Sequence, residues 1–272
     1  TDPDSDRVGI MVRDKDGEYK VITGNQTGVL LLDYLLGALR RTGKLPKNAV
    51  ALKTIVTTEM ARAVAESYGV KCFDTFTGFK FMAEKKNALE ATGEGKVVFS
   101  YEESYGYMVG DYVRDKDAVT ASLLLTEMAA HYAGKGMTVL DALQSLYEKY
   151  GCYGEKTYNL VMPGLDGLSD MAKLMKSLRE TPPAEIAGVK VIQFKDYNDG
   201  SVVDCATGAK STMELSGSNV LRFEMADGTS IIVRPSGTEP KIKVYILTKG
   251  ADFAEKDENL AKYGAWVDTL KK

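Results

Sequence analysis

Hydrophobic positions along the chain change their spacing and so predict several kinds of segment. Residues 8–12 and 19–22 flank an Asp16-Gly17 turn and predict a short β-hairpin. From residue 25 the period lengthens. Val29, Leu30, Leu32, Tyr34, Leu35 and Leu39 recur at helical spacing, with Asn25 as the expected cap and Gly43 as the stop. Strand-like and helix-like runs then alternate. Apolar runs at 49–56, 70–76 and 96–101 predict buried strands, while 57–69 (capped by Thr57 or Thr58), 79–92, 118–132 and 138–150 predict helices. This alternation implies a parallel sheet with right-handed crossovers and helices on its faces.

Past Gly151 the pattern loosens. A strand at 157–162 and a helix at 165–179 precede a Pro182-Pro183 break, followed by strand-like runs at 189–194, 219–225, 230–233 and 242–247 and a final helix at 251–270. Consecutive strands between two helices, with Asp227-Gly228 as a hairpin turn, imply an antiparallel α+β arrangement. The expected fold class is therefore α/β: a parallel-sheet α/β domain over 25–152, then an antiparallel α+β C-terminal domain over 153–272. Residues 1–24 start directly on an acidic loop with no strand or helix before it, which reads as a short remnant of a preceding α/β domain.

Composition narrows the function. The chain has 272 residues, 44% hydrophobic and 27% charged, enough for two buried cores. A net charge of −3 argues against nucleic acid or a membrane surface as partner, so a phosphate ligand has to be met by a local cluster of cations. Cys72, Cys152 and Cys205 are odd in number and lack metal-type spacing, which predicts reduced thiols and a cytoplasmic location. No apolar run approaches the length of a membrane span.

Candidate chemistry lies in loops. Arg234-Pro235-Ser236-Gly237-Thr238-Glu239-Pro240, between two strand-like runs, offers a forked guanidinium, two hydroxyls and turn-exposed backbone N–H groups to one anion. Asp2, Asp4 and Asp6 alternate in a compact oxygen set suited to Mg²⁺, with Arg7 beside them. An EF-hand register fails, because Arg7 falls where Gly is required and Arg13 where the bidentate Glu should be. In a parallel sheet ligands collect beyond the carboxyl ends of the strands, and two loops leave those ends: Thr77-Gly78-Phe79-Lys80 and Glu102-Glu103-Ser104-Tyr105-Gly106-Tyr107. The bland alternatives are a hairpin turn, a solvated acidic tail, and a Lys53 that snorkels from a sheet edge.

The ordered set Asp-Pro-Asp-Ser-Asp-Arg, Thr-Gly-Phe-Lys, Glu-Glu-Ser-Tyr-Gly-Tyr, Arg-Asp-Lys-Asp and Arg-Pro-Ser-Gly-Thr-Glu-Pro resembles the α-D-phosphohexomutases, particularly bacterial phosphoglucomutases and phosphomannomutases. The resemblance implies the end of domain 2 at 1–24, domain 3 at 25–152 and domain 4 at 153–272. It implies Asp2, Asp4 and Asp6 as Mg²⁺ ligands and Arg7 near the phosphoryl-transfer centre. Glu102 and Ser104 would read sugar hydroxyls in a loop that also holds Glu103 and Tyr105. Lys53, Thr77, Gly78 and Lys116 would lie near the sugar phosphate, and Arg234, Ser236, Gly237 and Thr238 would grip the phosphate that is not being transferred. Phe79 stands where some phosphomannomutase-type relatives carry His, which leaves glucose, mannose, glucosamine and pentose phosphates open.

The implied activity is an isomerase-type phosphotransferase reaction. Glucose 1-phosphate and glucose 6-phosphate interconvert through an enzyme phosphoserine and a hexose 1,6-bisphosphate, in a site that Mg²⁺ and positioned donors stabilise. The family's phosphoserine follows a Ser-His pattern in its first domain, and the one histidine here, His131, falls in a helix. These 272 residues are therefore expected to supply metal, sugar and phosphate recognition while the N-terminal domains of the same protein supply the nucleophile. A stand-alone sugar-phosphate-binding module is the alternative, and a metal-dependent phosphatase using the acidic loop is a third.

Overall fold

Thr23, one residue before the first long helix, shows how the sequence starts an element: its hydroxyl accepts from Gln26 N and Gln26 Oε1 accepts from Thr23 N, a reciprocal capping box. The structure, a computed structural model, describes residues 1–164, 166–237 and 239–270. The chain divides into two units, 1–151 and 152–272.

The first unit opens with a hairpin, β1 (Ile10–Arg13) and β2 (Tyr19–Ile22), and continues with α1 (Gly24–Arg41), β3 (Ala49–Thr54), α2 (Met60–Ser67), β4 (Lys71–Thr75) and α3 (Phe79–Thr92). It ends with β5 (Lys96–Glu102), β6 (Gly106–Val109), α4 (Ala118–Ala133) and α5 (Val139–Tyr150). Strand order is β4-β3-β5-β6, with β3 parallel to both β4 and β5 and β6 antiparallel to β5. The expected parallel sheet is thus present with one antiparallel edge strand. One layer of core lies between α3 and the sheet, formed by Val50, Leu52, Phe79, Met82, Leu89, Val97 and Met108. α1 packs against β5, and a Cβ on Gly28 would come within 2.0 Å of the Tyr101 ring, so only glycine permits this approach.

The expected caps are corrected. Asn25 is buried within α1, and its Oδ1 accepts from Thr58 N, 3.0 Å away, so it joins α1 to the β3–α2 connection while Thr23 does the capping. Thr57 caps nothing: its hydroxyl pairs with that of Thr54 at 2.8 Å. Thr58 Oγ1 accepts from Met60 N, but α2 starts later, after Glu59. The largest difference is after the third strand. The chain turns back at once as β6 instead of crossing over, so Glu102–Tyr107 belongs to a β-hairpin. The turn is made by Tyr105 in the left-handed region (φ 67°).

The second unit carries β7 (Cys152–Val161), α6 (Gly167–Glu180), β8 (Glu185–Ile186), β9 (Val189–Asp196), β10 (Ser201–Asp204), β11 (Lys210–Thr212), β12 (Leu221–Met225), β13 (Ser230–Pro235), β14 (Lys241–Gly250) and α7 (Phe253–Thr269). Seven strands follow the antiparallel order β11-β10-β9-β12-β13-β14-β7, with β8 paired to β9. Phe194, Leu221, Phe223, Ile231, Val233, Val244 and Ile246 alternate onto one face and bury against Met175 and Leu178 of α6 and Tyr263 and Val267 of α7. β10 and β11 escape the hydrophobic pattern because β11 is exposed at every position and β10 buries only Val202. The expected helix start at Leu165 lies outside the described residues.

Candidate functional site

The acidic loop at the start of the chain is closed by its own backbone. Arg7 N donates to Asp2 Oδ1 at 3.0 Å, Asp2 N to Arg7 O at 3.3 Å, and Ser5 N to Asp2 O at 3.1 Å, with Ser5 in the left-handed region. One carboxylate oxygen each from Asp2, Asp4 and Asp6 then fall within 4.8 Å of one another. Desolvation pushes the Asp2 carboxyl up, but hydrogen bonds, led by Arg7 N–H, outweigh it and hold the group below its usual range. Asp6 Oδ1 is buried and accepts no hydrogen bond among the described residues; Arg7 Nε stands 3.7 Å from it. A hard divalent cation satisfies such an oxygen, so the donor set fits Mg²⁺.

This loop is fixed to the β5–β6 hairpin. Arg7 forms an antiparallel bridge with Gly106, Val8 N donates to Tyr105 O at 3.2 Å, and Ala118 N donates to Ser5 O at 3.2 Å. Lys116 adds a side-chain link, its Nζ lying 2.9 Å from Asp6 Oδ2 and 3.4 Å from Asp115 Oδ1. Burial disfavours the Lys116 ammonium, and the Asp6 and Asp115 carboxylates more than offset this, holding its pKa above that of an ordinary lysine. A Cβ on Gly106 would meet Lys116 Cδ and Phe79 Cε2 at 2.8 Å and Glu102 Cγ at 3.2 Å. Glu102, Lys116 and Phe79 thus converge on one glycine, beside the metal-type loop.

Adjacent glutamates in the hairpin have opposite fates. Glu102 is 7% exposed, and its carboxylate makes no hydrogen bond or ion pair among the described residues. Glu103 Oε2 instead accepts from the Thr54 and Thr57 hydroxyls at 3.3 and 3.4 Å, anchoring the hairpin to the end of β3. Ser104 is half-buried in the same turn, and Thr77 and Gly78 are half-buried between β4 and α3, where Gly78 has φ 108°. Buried Phe79 follows them into the core, with the Lys116 ammonium 5.6 Å from its ring centroid.

Lys53 is placed differently from either expectation. It lies on the central strand β3 with no exposed side-chain surface, so it does not snorkel. Its Nζ contacts Glu59 Oε1 and Asp74 Oδ1, each at 2.9 Å, and donates to Thr57 O and Thr54 O at 3.2 and 3.4 Å. Burial opposes its charge, and Asp74 followed by Glu59 more than offset this, keeping the lysine protonated. The ammonium is fully engaged inside the protein, so Lys53 braces the turn that holds Glu103 and has no donor left for a ligand.

In the second unit, Arg234 ends β13 and its cross-strand partner on β14 is Lys243. Neither cation has a hydrogen bond or ion pair among the described residues, and like charges directly opposite repel, so an anion beside them relieves the pair. Both side chains are half-buried, as is Ser236, whose N–H donates to Lys241 O at 2.8 Å and closes the loop; Gly237 is exposed. Thr238 lies outside the described residues. Lys243 was missed from the sequence because only strand register puts it opposite Arg234. Glu239 is occupied by Lys241.

Comparison with known proteins gives the family. Residues 23–150 match Phosphoglucomutase/phosphomannomutase, alpha/beta/alpha domain III, and residues 169–256 match the C-terminal domain of the same family. The chain belongs to the phosphoglucomutase/phosphomannomutase family. Phosphoglucomutase of Staphylococcus aureus (strain N315) is 36% identical over 253 residues, which are 93% of this chain and 45% of that protein. The chain thus spans less than half the length of the curated relatives it matches. In fold, it is similar to the phosphoprotein pp63/parafusin, a phosphoglucomutase of Paramecium (TM-score 0.60, 21% identity, 98% of this chain and 43% of that one). It is also similar to N-acetylphosphoglucosamine mutase of Aspergillus fumigatus in complex with GlcNAc-6P and magnesium (TM-score 0.52, 12% identity, 99% of this chain and 48% of that one). Among the described residues no helix is long and apolar enough to cross a membrane.

Proposed function

We propose that these residues supply the metal, sugar and phosphate recognition of a cytoplasmic phosphoglucomutase that interconverts glucose 1-phosphate and glucose 6-phosphate through a phosphoserine and a hexose 1,6-bisphosphate. Asp2, Asp4 and Asp6 hold Mg²⁺, which when bound neutralises phosphoryl oxygen charge, and Arg7 adds a cation at its edge. Glu102 and Ser104 bind sugar hydroxyls, with Thr77, Gly78 and Lys116 beside them. Arg234, Ser236, Gly237, Thr238 and Lys243 grip the phosphate that is not transferred. The observation carrying this reading is Glu102: a residue only 7% exposed, whose carboxylate has no partner among the described residues and lies next to a hard-oxygen metal set, is left free to accept from a ligand's hydroxyls.

The chemistry asked of the protein is positioning and electrostatics. A hexose bisphosphate that turns over between half-reactions presents either phosphate to the same grip, which suits a guanidinium fork and hydroxyls better than a shape-specific wall. Rejection of a sugar lacking the paired hydroxyls follows from leaving Glu102 unsatisfied. His131 has no part in this: it sits on α4 with its ring 5.3 Å from Tyr34 and 5.5 Å from Tyr132.

Isothermal titration with glucose 1-phosphate and mannose 1-phosphate tests the reading. The 272-residue polypeptide binds glucose 1-phosphate, Glu102→Ala loses preference between the two sugars, and the polypeptide alone gives no mutase turnover. Equal binding of both sugars by wild type and Glu102→Ala contradicts the role of Glu102, and sustained interconversion by the polypeptide contradicts the need for a phosphoserine from outside these residues.

A further inference from the structure

We propose that Lys116 is a built-in counter-ion of the Asp2–Asp6 loop, which a divalent cation must displace to bind. The inference rests on the metal reading above and adds a regulatory contact to it. Lys116 is only 14% exposed at its side chain, and its Nζ sits 2.9 Å from Asp6 Oδ2, so it occupies one edge of the carboxylate set that the cation needs. The other Asp6 oxygen is buried and accepts no hydrogen bond among the described residues, with only the long 3.7 Å ion-pair contact from Arg7 Nε, so the ammonium compensates the carboxylate in part.

A divalent cation held by Asp6 would share that carboxylate with the Lys116 ammonium. Two like charges on one carboxylate repel, so the ion-paired lysine and the cation would compete for Asp6. The lysine also has somewhere to go. Its Cδ lies in the space a Gly106 side chain would fill, beside Glu102, and its ammonium faces the Phe79 ring at 5.6 Å. Release from Asp6 therefore leaves the charge among the residues assigned to the sugar phosphate. Metal binding and anion binding then favour one another, and the coupling is reciprocal.

The test is calorimetric titration of Mn²⁺ into the 272-residue protein as wild type, Lys116→Gln, Lys116→Arg and Asp6→Asn, with thermal unfolding as the folding control. Lys116→Gln is expected to bind roughly tenfold more tightly than wild type, since the repelling charge is gone. Lys116→Arg, which keeps the charge, stays close to wild type, and Asp6→Asn binds weakly or not at all. A Lys116→Gln variant that is folded and binds Mn²⁺ no more tightly than wild type overturns the proposal while loss in Asp6→Asn upholds the metal site. Binding by none of the four overturns both. As a second readout, Mn²⁺ is expected to raise the rate of acylation at Lys116, measured by mass spectrometry, and an unchanged rate counts against displacement.

Discussion

The Glu102 end of the first unit and the Arg234 loop of the second carry their charges in opposite ways. Around Glu102, segments far apart in sequence are cross-braced: the acidic loop bridges Gly106, Lys116 pairs with Asp6, Glu103 is held by Thr54 and Thr57, and Lys53 is walled in by Glu59 and Asp74. Glu102 has no such pair among the described residues. The Arg234 loop is local, one connection between neighbouring strands, with Arg234 and Lys243 opposite each other and neither in a hydrogen bond or ion pair among the described residues. In the roles proposed for them, reading hydroxyls demands orientation, and orientation takes a frame of satisfied charges, whereas gripping a phosphate demands unsatisfied charge, for which a short loop is enough.

Removing charges from the frame and from the ligand groups should therefore give opposite results. Lys53→Met takes a cation from a buried ion cluster, and the expected loss is about 3 kcal/mol of stability, read from the urea midpoint, because both carboxylates lose the buried ammonium between them and are left to share Arg62. Arg234→Ala should leave the unfolding temperature near wild type yet lower affinity for every phosphosugar by roughly a hundredfold, since a bidentate charged contact is lost. A large stability loss there would show that the arginine belongs to a frame after all.

Smaller effects sharpen the contrast within the first unit. Gly106→Ala forces Lys116, Phe79 and Glu102 apart, with an expected loss of about tenfold in sugar-phosphate affinity at a modest stability cost. Glu103→Ala unties the hairpin without touching ligand. Glucose 1-phosphate should bind a few-fold more weakly, and Glu103→Gln, which keeps an acceptor for the threonine hydroxyls, should restore it.

Acid weakens the frame in a defined window. Lys15 at 2.8 Å, together with Thr138 N–H, pulls the Asp141 carboxyl from 3.8 down to about 2 in the folded protein, where it joins the β1–β2 turn to the start of α5. A folded value below the unfolded one means that the contribution is complete above pH 3.8 and vanishes as pH falls to about 2. Asp141→Asn should flatten the fall of unfolding temperature across that window by a small amount. An unchanged slope would remove Asp141 from the frame.

The long helices and the strands β3, β4 and β5 were readable because apolar spacing sustained over a dozen residues has few other solutions. β6 was not, since four residues entered through a left-handed tyrosine carry no period of their own. Thr23, rather than Asn25, could have been found as the cap from its Gln three positions later. Of the site, the acidic loop and the Arg234 loop were visible because each is local. The partners of Lys53, Glu103 and Lys116, and the facing of Lys243 and Arg234, come from strand register and hairpin closure, which sequence spacing does not encode.

The most direct test is a double-mutant titration with glucose 1-phosphate, its deoxy analogues lacking single hydroxyls, and inorganic phosphate, using wild type, Glu102→Ala, Arg234→Ala and the double variant. The account predicts that Glu102→Ala binds glucose 1-phosphate and at least one deoxy analogue alike while retaining phosphate binding, and that Arg234→Ala binds phosphate roughly a hundredfold more weakly. Discrimination that survives Glu102→Ala, or phosphate affinity that is unchanged in Arg234→Ala, would contradict it.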